Sequence, residues 1–468
     1  MIKNYVLLLC VICVYTLNAQ TENWYFGEYA GISFDPTTHA FSGALTNGQL
    51  NTTEGSACIS DGAGNILFYT DGTDVYNAQN NIMVNGTGLL GDNSSTQSAL
   101  IVPFVNAPTK YYIFTIDDAS GPLAYSVVDM TLDNGNGAIV ATQKNIVLLN
   151  NTSEKLCATH SANGGYWVIT FAQNNSNTYE LLKAFEITSS GVNTTSVDSY
   201  VNSNSPDARG YLKISPDGSK IAIATNDQDN LFLCDFNTTT GMVNTAIQLE
   251  INYTADLLYG IEFSPNSNVL YAHSYNSTQD SALVQFDLTA TDIEASQLII
   301  DQVTGTGGYR GALQLAEDGR IYRTTPVSYA IGTNYLSVIE NPNVIGTGCN
   351  YVQDAIYLGS NKEAMQGLPN FIASYFDPAF LSTDSVSQNL DITMYLNKYT
   401  EVLTIENNTL KSIESISVFT LTGQTILDDT NISNNSTYTV NTSNFAPGIY
   451  LINVTADNQT ITKKIIID

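Results

Sequence analysis

Three side chains share one position in a repeating pattern. Arg209, Tyr259 and Arg310 each stand immediately before a glycine, and Gly210, Gly260 and Gly311 follow one another at intervals of 50 and 51 residues. The chain holds only four arginines, so two of them at one equivalent position is more than composition supplies. A guanidinium fork grips carboxylate or phosphate through two parallel hydrogen bonds, and a tyrosine between two such forks adds a stacking face. The chemistry expected of this trio is recognition of an anionic or sugar-acid ligand. The competing reading is that the same side chains cap strands or pair with acidic loops, of which this chain has many.

The same alignment makes Lys213, Glu262 and Gln314 equivalent to one another. A charge pointing into a packed repeat needs a partner, so Lys213 and Glu262 are expected to form an ion pair between neighbouring units; a catalytic Glu262 is the lesser alternative. His160, ahead of the turn Ser161-Ala-Asn-Gly164, reads as a hydrogen-bonded structural histidine. His39, His160 and His273 have no metal-ligand spacing to one another. The runs Asp71-Gly-Thr-Asp74 and Asn226-Asp-Gln-Asp-Asn230 hold calcium-type ligands but lack the full calcium-loop spacing, so turn chemistry is the simpler reading. Gly-x-Ser-x-Gly is absent, so no Ser-His-Asp site is signalled. No catalytic residue, metal site or cofactor is therefore assigned.

These residues sit in longer matching segments: Arg209-Gly-Tyr-Leu-Lys-Ile-Ser-Pro-Asp-Gly218, Tyr259-Gly-Ile-Glu-Phe-Ser-Pro-Asn266 and Arg310-Gly-Ala-Leu-Gln-Leu-Ala-Glu-Asp-Gly319. The intervening runs are β-type, such as Lys110-Tyr-Tyr-Ile-Phe-Thr-Ile116 and Tyr166-Trp-Val-Ile-Thr-Phe171, each following a turn signal. No stretch carries helical periodicity over three turns. A period near 50 residues built from strands marks a β-propeller blade. Turn markers at Gly64, Pro108, Gly164, Gly218, Ser267 and Gly319 extend the array. Residues 21–376 divide into seven units near 51 residues, or six larger ones. Ring closure calls for strands from both ends in one blade, and the segments 24–34 and 368–376 are the candidates.

In a propeller the first strand of each blade runs along the central channel. The repeat therefore puts Arg209, Tyr259 and Arg310 at one channel mouth.

Composition bounds the partners. With 44 acidic and 16 basic side chains the formal charge is −28, which argues against nucleic acid and anionic membrane and suits solubility outside the cell. Lys3 followed by the apolar run 5–15 and by Leu17-Asn-Ala-Gln20 reads as a signal peptide over 1–20, cleaved after Ala19 or Gln20. That run is too short for a stable transmembrane anchor. Lipoprotein processing at Cys10 or Cys13 is disfavoured by Leu9 and Ile12, where a small residue is required. The four remaining cysteines, Cys58, Cys157, Cys234 and Cys349, read as buried thiols, with a disulfide as the alternative in an oxidising compartment.

Residues 377–391 turn to Ser, Thr, Asp and Asn and read as a linker. Over 392–468, short alternating runs predict a small Ig-like antiparallel β-sandwich.

Within it, Val418-Phe-Thr-Leu-Thr-Gly-Gln424, Phe445-Ala-Pro-Gly-Ile-Tyr450 and Lys463-Lys-Ile-Ile-Ile467 resemble the type A sorting domain of the Bacteroidetes type IX secretion system. Gly423, Pro447, Gly448, Tyr450, Lys463 and Lys464 carry that motif, while Tyr395-Leu-Asn-Lys398 departs from the family's Tyr-Pro-Asn-Pro start. The resemblance implies handling by the type IX secretion machinery, passage across the outer membrane, and release or attachment at the cell surface.

The front of the chain is similar to secreted propeller proteins of the same bacteria. Trp24-Tyr-Phe-Gly27, Thr53-Glu-Gly55, Leu67-Phe-Tyr-Thr-Asp-Gly72, Gly91-Asp-Asn-Ser-Ser-Thr-Gln-Ser98, His160 and Gly311-Ala-Leu-Gln-Leu315 carry that likeness, which implies no particular activity.

The expectation is an exported, all-β binding module whose partners are acidic glycans or a surface protein. The alternative is a lactonase- or lyase-like propeller enzyme, which should gather Glu262, Arg209, Arg310 and His160 in one pocket at the channel mouth.

Overall fold

The computed structural model describes residues 20–468 apart from 119, 175, 228–229, 253–256, 279, 306–307, 379–391, 398–400, 408–412, 421–423, 430–431, 433–436, 457–458 and 468. Residues 1–19 of the 1–20 signal-peptide reading, Gly423 and nearly all of the linker lie outside the described residues. The chain divides into two compact units, Met1–Leu381 and Ser382–Asp468.

The first unit is a seven-bladed propeller. Blade 1 has the three strands Asn23–Phe26, Ala30–Phe34 and Phe41–Ala44. Blades 2 to 7 follow over 57–87, 99–149, 152–205, 212–250, 257–303 and 313–357, and their strands pair antiparallel in chain order from the inside out. Blades 2 and 3 are also joined along their outer edges by Ala138–Ile139, which lies parallel to Val84.

Burial follows from this stacking. A middle strand such as Lys220–Ala224 is covered on both faces by neighbouring blades and reads as a nearly unbroken apolar run. The outer strand Val197–Ser205 has one wet face and alternates strictly. The core therefore lies between blades. One apolar layer joins Phe114 and Val168 of blades 3 and 4, and another joins Phe171 and Ile223 of blades 4 and 5.

The repeat glycines have steric causes. A Cβ on Gly210 would stand 2.6 Å from the Ala224 carbonyl oxygen, and one on Gly311 would stand 2.4 Å from that of Thr324, the matching strand of blade 7. Gly260 differs, because a Cβ there would meet the Gly311 carbonyl oxygen at 2.1 Å, where blades 6 and 7 approach. The turns after the inner strands of blades 5 and 6 are also built the same way. Ser215 Oγ donates to Asp217 and accepts from the Lys220 amide, and Ser264 repeats this with Asn266 and Val269.

Ring closure departs from expectation. Segment 24–34 does form the first hairpin of blade 1, but 368–376 joins no blade. It threads the central channel instead, parallel to the inner strands, bridging Ser56 of blade 2 through Pro369 and Ala158 of blade 4 through Ile372. Asn370 Nδ2 donates to the Leu156 carbonyl at 2.7 Å, and the Phe371 ring packs 5.6 Å from Trp24 of blade 1. The physical reason lies in Leu368, Phe371, Ile372, Tyr375 and Phe376, all buried: these bulky groups fill an axis that the inner strands alone leave hollow. The ring seam is held by bridges from Glu363 to Glu28 and Ala364 to Thr333, and by Trp24 packed 5.5 Å from Tyr322 of blade 7.

All four cysteines of the described part are free and buried.

The second unit pairs Ile392–Asn397, Val402–Asn407 and Thr437–Asn441 in one sheet, and Ile413–Thr420, Thr425–Asp429, Gly448–Ala456 and Gln459–Ile467 in another. Met394, Leu403, Ile405, Ile416, Val418, Ile452 and Val454 form the core of this sandwich. Gly448 opens a long strand right after Pro447, the Tyr450 hydroxyl donates to the Ala446 carbonyl at 2.8 Å, and Lys463 and Lys464 lie on the last strand opposite Ile452 and Leu451.

Candidate functional site

The inner strands of blades 2, 3, 5 and 7 begin at Ala57, Ala99, Leu212 and Leu313. The residues three positions earlier are Glu54, Thr96, Arg209 and Arg310, and blade 4 contributes Glu154 near the start of Thr152–His160. One turn of the repeat thus delivers a ring of polar side chains to a single mouth. Behind the ring lies a cavity of about 690 Å³, to which Glu54, Glu154, Asp207, Arg209, Asp227 and Arg310 contribute, with Tyr179, Tyr309 and Tyr329 as aromatic lining.

The ring is wired internally. Arg310 Nη1 lies 3.3 Å from Glu54 Oε1, Arg310 Nε donates to the Tyr275 hydroxyl at 3.0 Å, and the guanidinium lies over the Tyr309 ring at 5.3 Å. Glu54 Oε2 accepts from the Tyr259 hydroxyl at 2.9 Å. Arg209 is held by Asp207, with Nε 2.8 Å from Oδ1 and Nη2 on Oδ2. Glu154 Oε2 accepts from the amide and hydroxyl of Thr96 at 3.0 and 2.8 Å. Lys155, fully buried behind the ring, donates to the carbonyls of Ala208 and Arg209 at 2.8 and 2.6 Å.

Burial governs the protonation here. It pushes Glu54 up to about 8, with the nearby charge of Glu154 adding to it and Arg310 opposing it. Burial also raises Glu154 and drives Lys155 down to about 8. Asp207 shows the opposite balance: burial works against its charge, yet hydrogen bonds from Arg209 hold it below the usual carboxylate range.

Of the three residues expected at the mouth, Arg209 and Arg310 line one cavity. Tyr259 does not. It is fully buried beneath the rim, spent on Glu54 and on edge packing against Tyr211.

The second trio lies deeper in the channel. Lys213 Nζ is 2.8 Å from Glu262 Oε2 and 2.6 Å from Gln314 Oε1, all three buried and covered by Asn370, Phe371 and Phe376 of the threaded segment. His160 is at the far end of its strand, with Nδ1 2.7 Å from Ser374 Oγ, and burial lowers it to about 4. Glu262 and His160 are therefore not part of the mouth cavity. His273 contacts Arg323 at 2.9 Å, and His39 lies 3.4 Å from Glu317.

Asp71 Oδ1 accepts from the Thr73 amide and hydroxyl and the Asp74 amide, each at 2.8 Å, which is turn chemistry. In the second acidic run, residues 228–229 lie outside the described residues, and Asn226 accepts from the Tyr275 hydroxyl. Among the described residues no group of three or more His, Cys, Asp or Glu is placed to hold a metal ion. No helix of the described residues is long and apolar enough to cross a membrane.

Glu54, Glu154 and Asp227 were not placed at the mouth by the sequence. For Glu54 a signal existed: Glu54-Gly55 is a fourth copy of the residue-plus-glycine pair, and a Cβ on Gly55 would stand 2.3 Å from the Ser98 amide nitrogen. Glu154 had none, because Lys155 stands where the glycine would be.

Several solved structures are similar at low identity. A putative 6-phosphogluconolactonase from Bacteroides uniformis is 12% identical with a TM-score of 0.39, covering 90% of this chain and 100% of that one. A protein of unknown function from Desulfotomaculum acetoxidans is 11% identical with a TM-score of 0.38, covering 88% and 96%. A periplasmic gluconolactonase from Pseudomonas aeruginosa is 10% identical with a TM-score of 0.36, covering 80% and 97%. No curated protein matches the chain. Residues 393–468 match the family model of the secretion system C-terminal sorting domain, so this β-propeller protein carries the Bacteroidetes-type sorting module that commits a chain to export, to the outer cell surface or beyond.

Proposed function

We propose that the propeller is a binding module, delivered outside the cell by its sorting domain, with its ligand site in the channel-mouth cavity. The observation that carries this reading is the convergence of equivalent polar side chains from four blades, Glu54, Glu154, Arg209 and Arg310, on one concave space of about 690 Å³. Residues 1–20 act as the signal peptide and 377–391 as the linker in this reading. The threaded segment enters beside Glu54 and ends by Ser374 and His160 at the opposite mouth.

The lactonase- or lyase-like alternative is less well supported. It called for Glu262 and His160 beside the two arginines, and both are occupied elsewhere. A ligand held mainly by free guanidinium forks also loses support, since Arg209 and Arg310 are already paired with Asp207 and Glu54. Glycans and a surface protein remain the partner classes. A glycan array of neutral, acidic and amino sugars, probed with the full mature chain, tests the reading. Retention of a defined sugar class supports it, and equal background on every spot opposes it.

A further inference from the structure

The mouth cavity holds more carboxyl groups than its two arginines pair with. Its ionisable lining comprises Glu54, Asp118, Glu154, Asp207, Asp227, Arg209 and Arg310. Asp207 and Glu54 are matched by the two arginines. Among the described residues, no cation lies within 4.0 Å of Glu154, Asp227 or Asp118. Lys155 sits nearby, but its ammonium is directed to the carbonyls of Ala208 and Arg209.

Two of these carboxylates have an oxygen to spare. Glu154 is only 3% exposed, yet both bonds it accepts fall on Oε2. Oε1 accepts none among the described residues. Asp227 Oδ1 accepts from Ser205 at 2.8 Å, while its buried Oδ2 has no partner among the described residues. A carboxylate held out of water without a cation leaves much of its solvation unreplaced. Tyr179, Tyr309 and Tyr329 also line this space; Arg310 already covers the Tyr309 ring, while Tyr329, 47% exposed, adds an aromatic side chain of the kind that favours cations. The chain's overall charge of −28 draws cations toward it as well.

We propose that the ligand of this cavity presents an organic cation, a primary ammonium or guanidinium group, received by Glu154 and Asp227 with Tyr329 in the lining. The inference rests on the mouth cavity being a binding site and adds the charge class of its ligand. Amino sugars and basic side chains of a partner's exposed loop both present such a group.

The test is calorimetric titration of the full mature chain with two matched sets. Cadaverine, pentanediol and glutarate share one skeleton, and glucosamine, glucose and glucuronate share another. In each set the cation is expected to bind tightest, by about tenfold over the neutral analogue, the scale of one partly buried charge contact. Glu154→Gln and Asp227→Asn should remove that preference while melting as the wild type does. Binding in which neutral members match the cations, or in which glutarate and glucuronate win, overturns the cation inference and leaves the binding reading intact. Absence of heat with all six overturns the cation inference, and the binding reading is then judged separately by the array. If either variant melts early, Glu154→Asp, which keeps the charge, must restore the preference; failure to do so also counts against the proposal.

Discussion

Arg310 and Glu54 stand three residues ahead of the inner strands of blades 7 and 2, and they meet across blade 1 with Nη1 3.3 Å from Oε1. Equivalent positions in the repeat thus become a paired carboxyl and guanidinium at the ring seam. Both side chains are buried, and removing one strands the other. Arg310→Ala is expected to cost about 3–5 kcal/mol in urea unfolding, while the double change Arg310→Met with Glu54→Gln recovers most of it. Equal losses in the single and double variants would show that the pair contributes only packing.

The threaded segment should be a structural member of the propeller. Phe371 packs against Trp24 and Phe376 at 5.6 and 5.9 Å. Phe371→Ala is expected to cost about 3–5 kcal/mol. Asn370→Ala, which leaves the Leu156 carbonyl unpaired, should cost about 1–3 kcal/mol. Thermal melting of the full chain checks both, and unchanged melting in the two variants would mean the segment only occupies space.

Much of this was legible in the sequence and some was not. The period of 50 and 51 residues carried the fold, because blades 5, 6 and 7 repeat one glycine-tight approach, and blades 5 and 6 add a Ser-x-Asp or Ser-x-Asn turn. The same register carried Arg209, Arg310 and the Lys213–Glu262 pair. Segment 368–376 misled, since apolar alternation says that side chains will be buried and not whether a blade or an axis buries them. Tyr259 misled for a related reason: its register is right, but its hydroxyl is committed to Glu54.

Stability should fall as pH rises. Burial pushes Glu22 up to about 7 and Glu317 up to about 8, and the nearby charge of Glu22 adds to the rise of Glu317 at the blade 1 to blade 7 seam. A carboxyl held protonated by the fold contributes fully below its unfolded value near 4.5, and that contribution is lost as pH climbs through 7 and 8. The melting temperature should be lower at pH 9 than at pH 6, and Glu22→Gln with Glu317→Gln should flatten the difference. A profile that rises toward pH 9 would contradict this.

Gly260 should tolerate no side chain. A Cβ there meets a backbone oxygen at 2.1 Å, so blades 6 and 7 must separate to admit it. Gly260→Ala is expected to lower the urea midpoint well beyond the effect of Gly319→Ala, where open space surrounds the Cβ and only the left-handed backbone resists.

The most direct test of the account is whether blocking the mouth abolishes binding. Ser94 lines the cavity, and its hydroxyl lies 2.8 Å from that of Tyr329. A tryptophan at position 94 would fill the space without touching the blade cores. Titrating glucosamine and cadaverine into the wild type and Ser94→Trp, the account predicts saturable heat in the first and none in the second, with equal melting temperatures. Identical binding curves for the two proteins would contradict it.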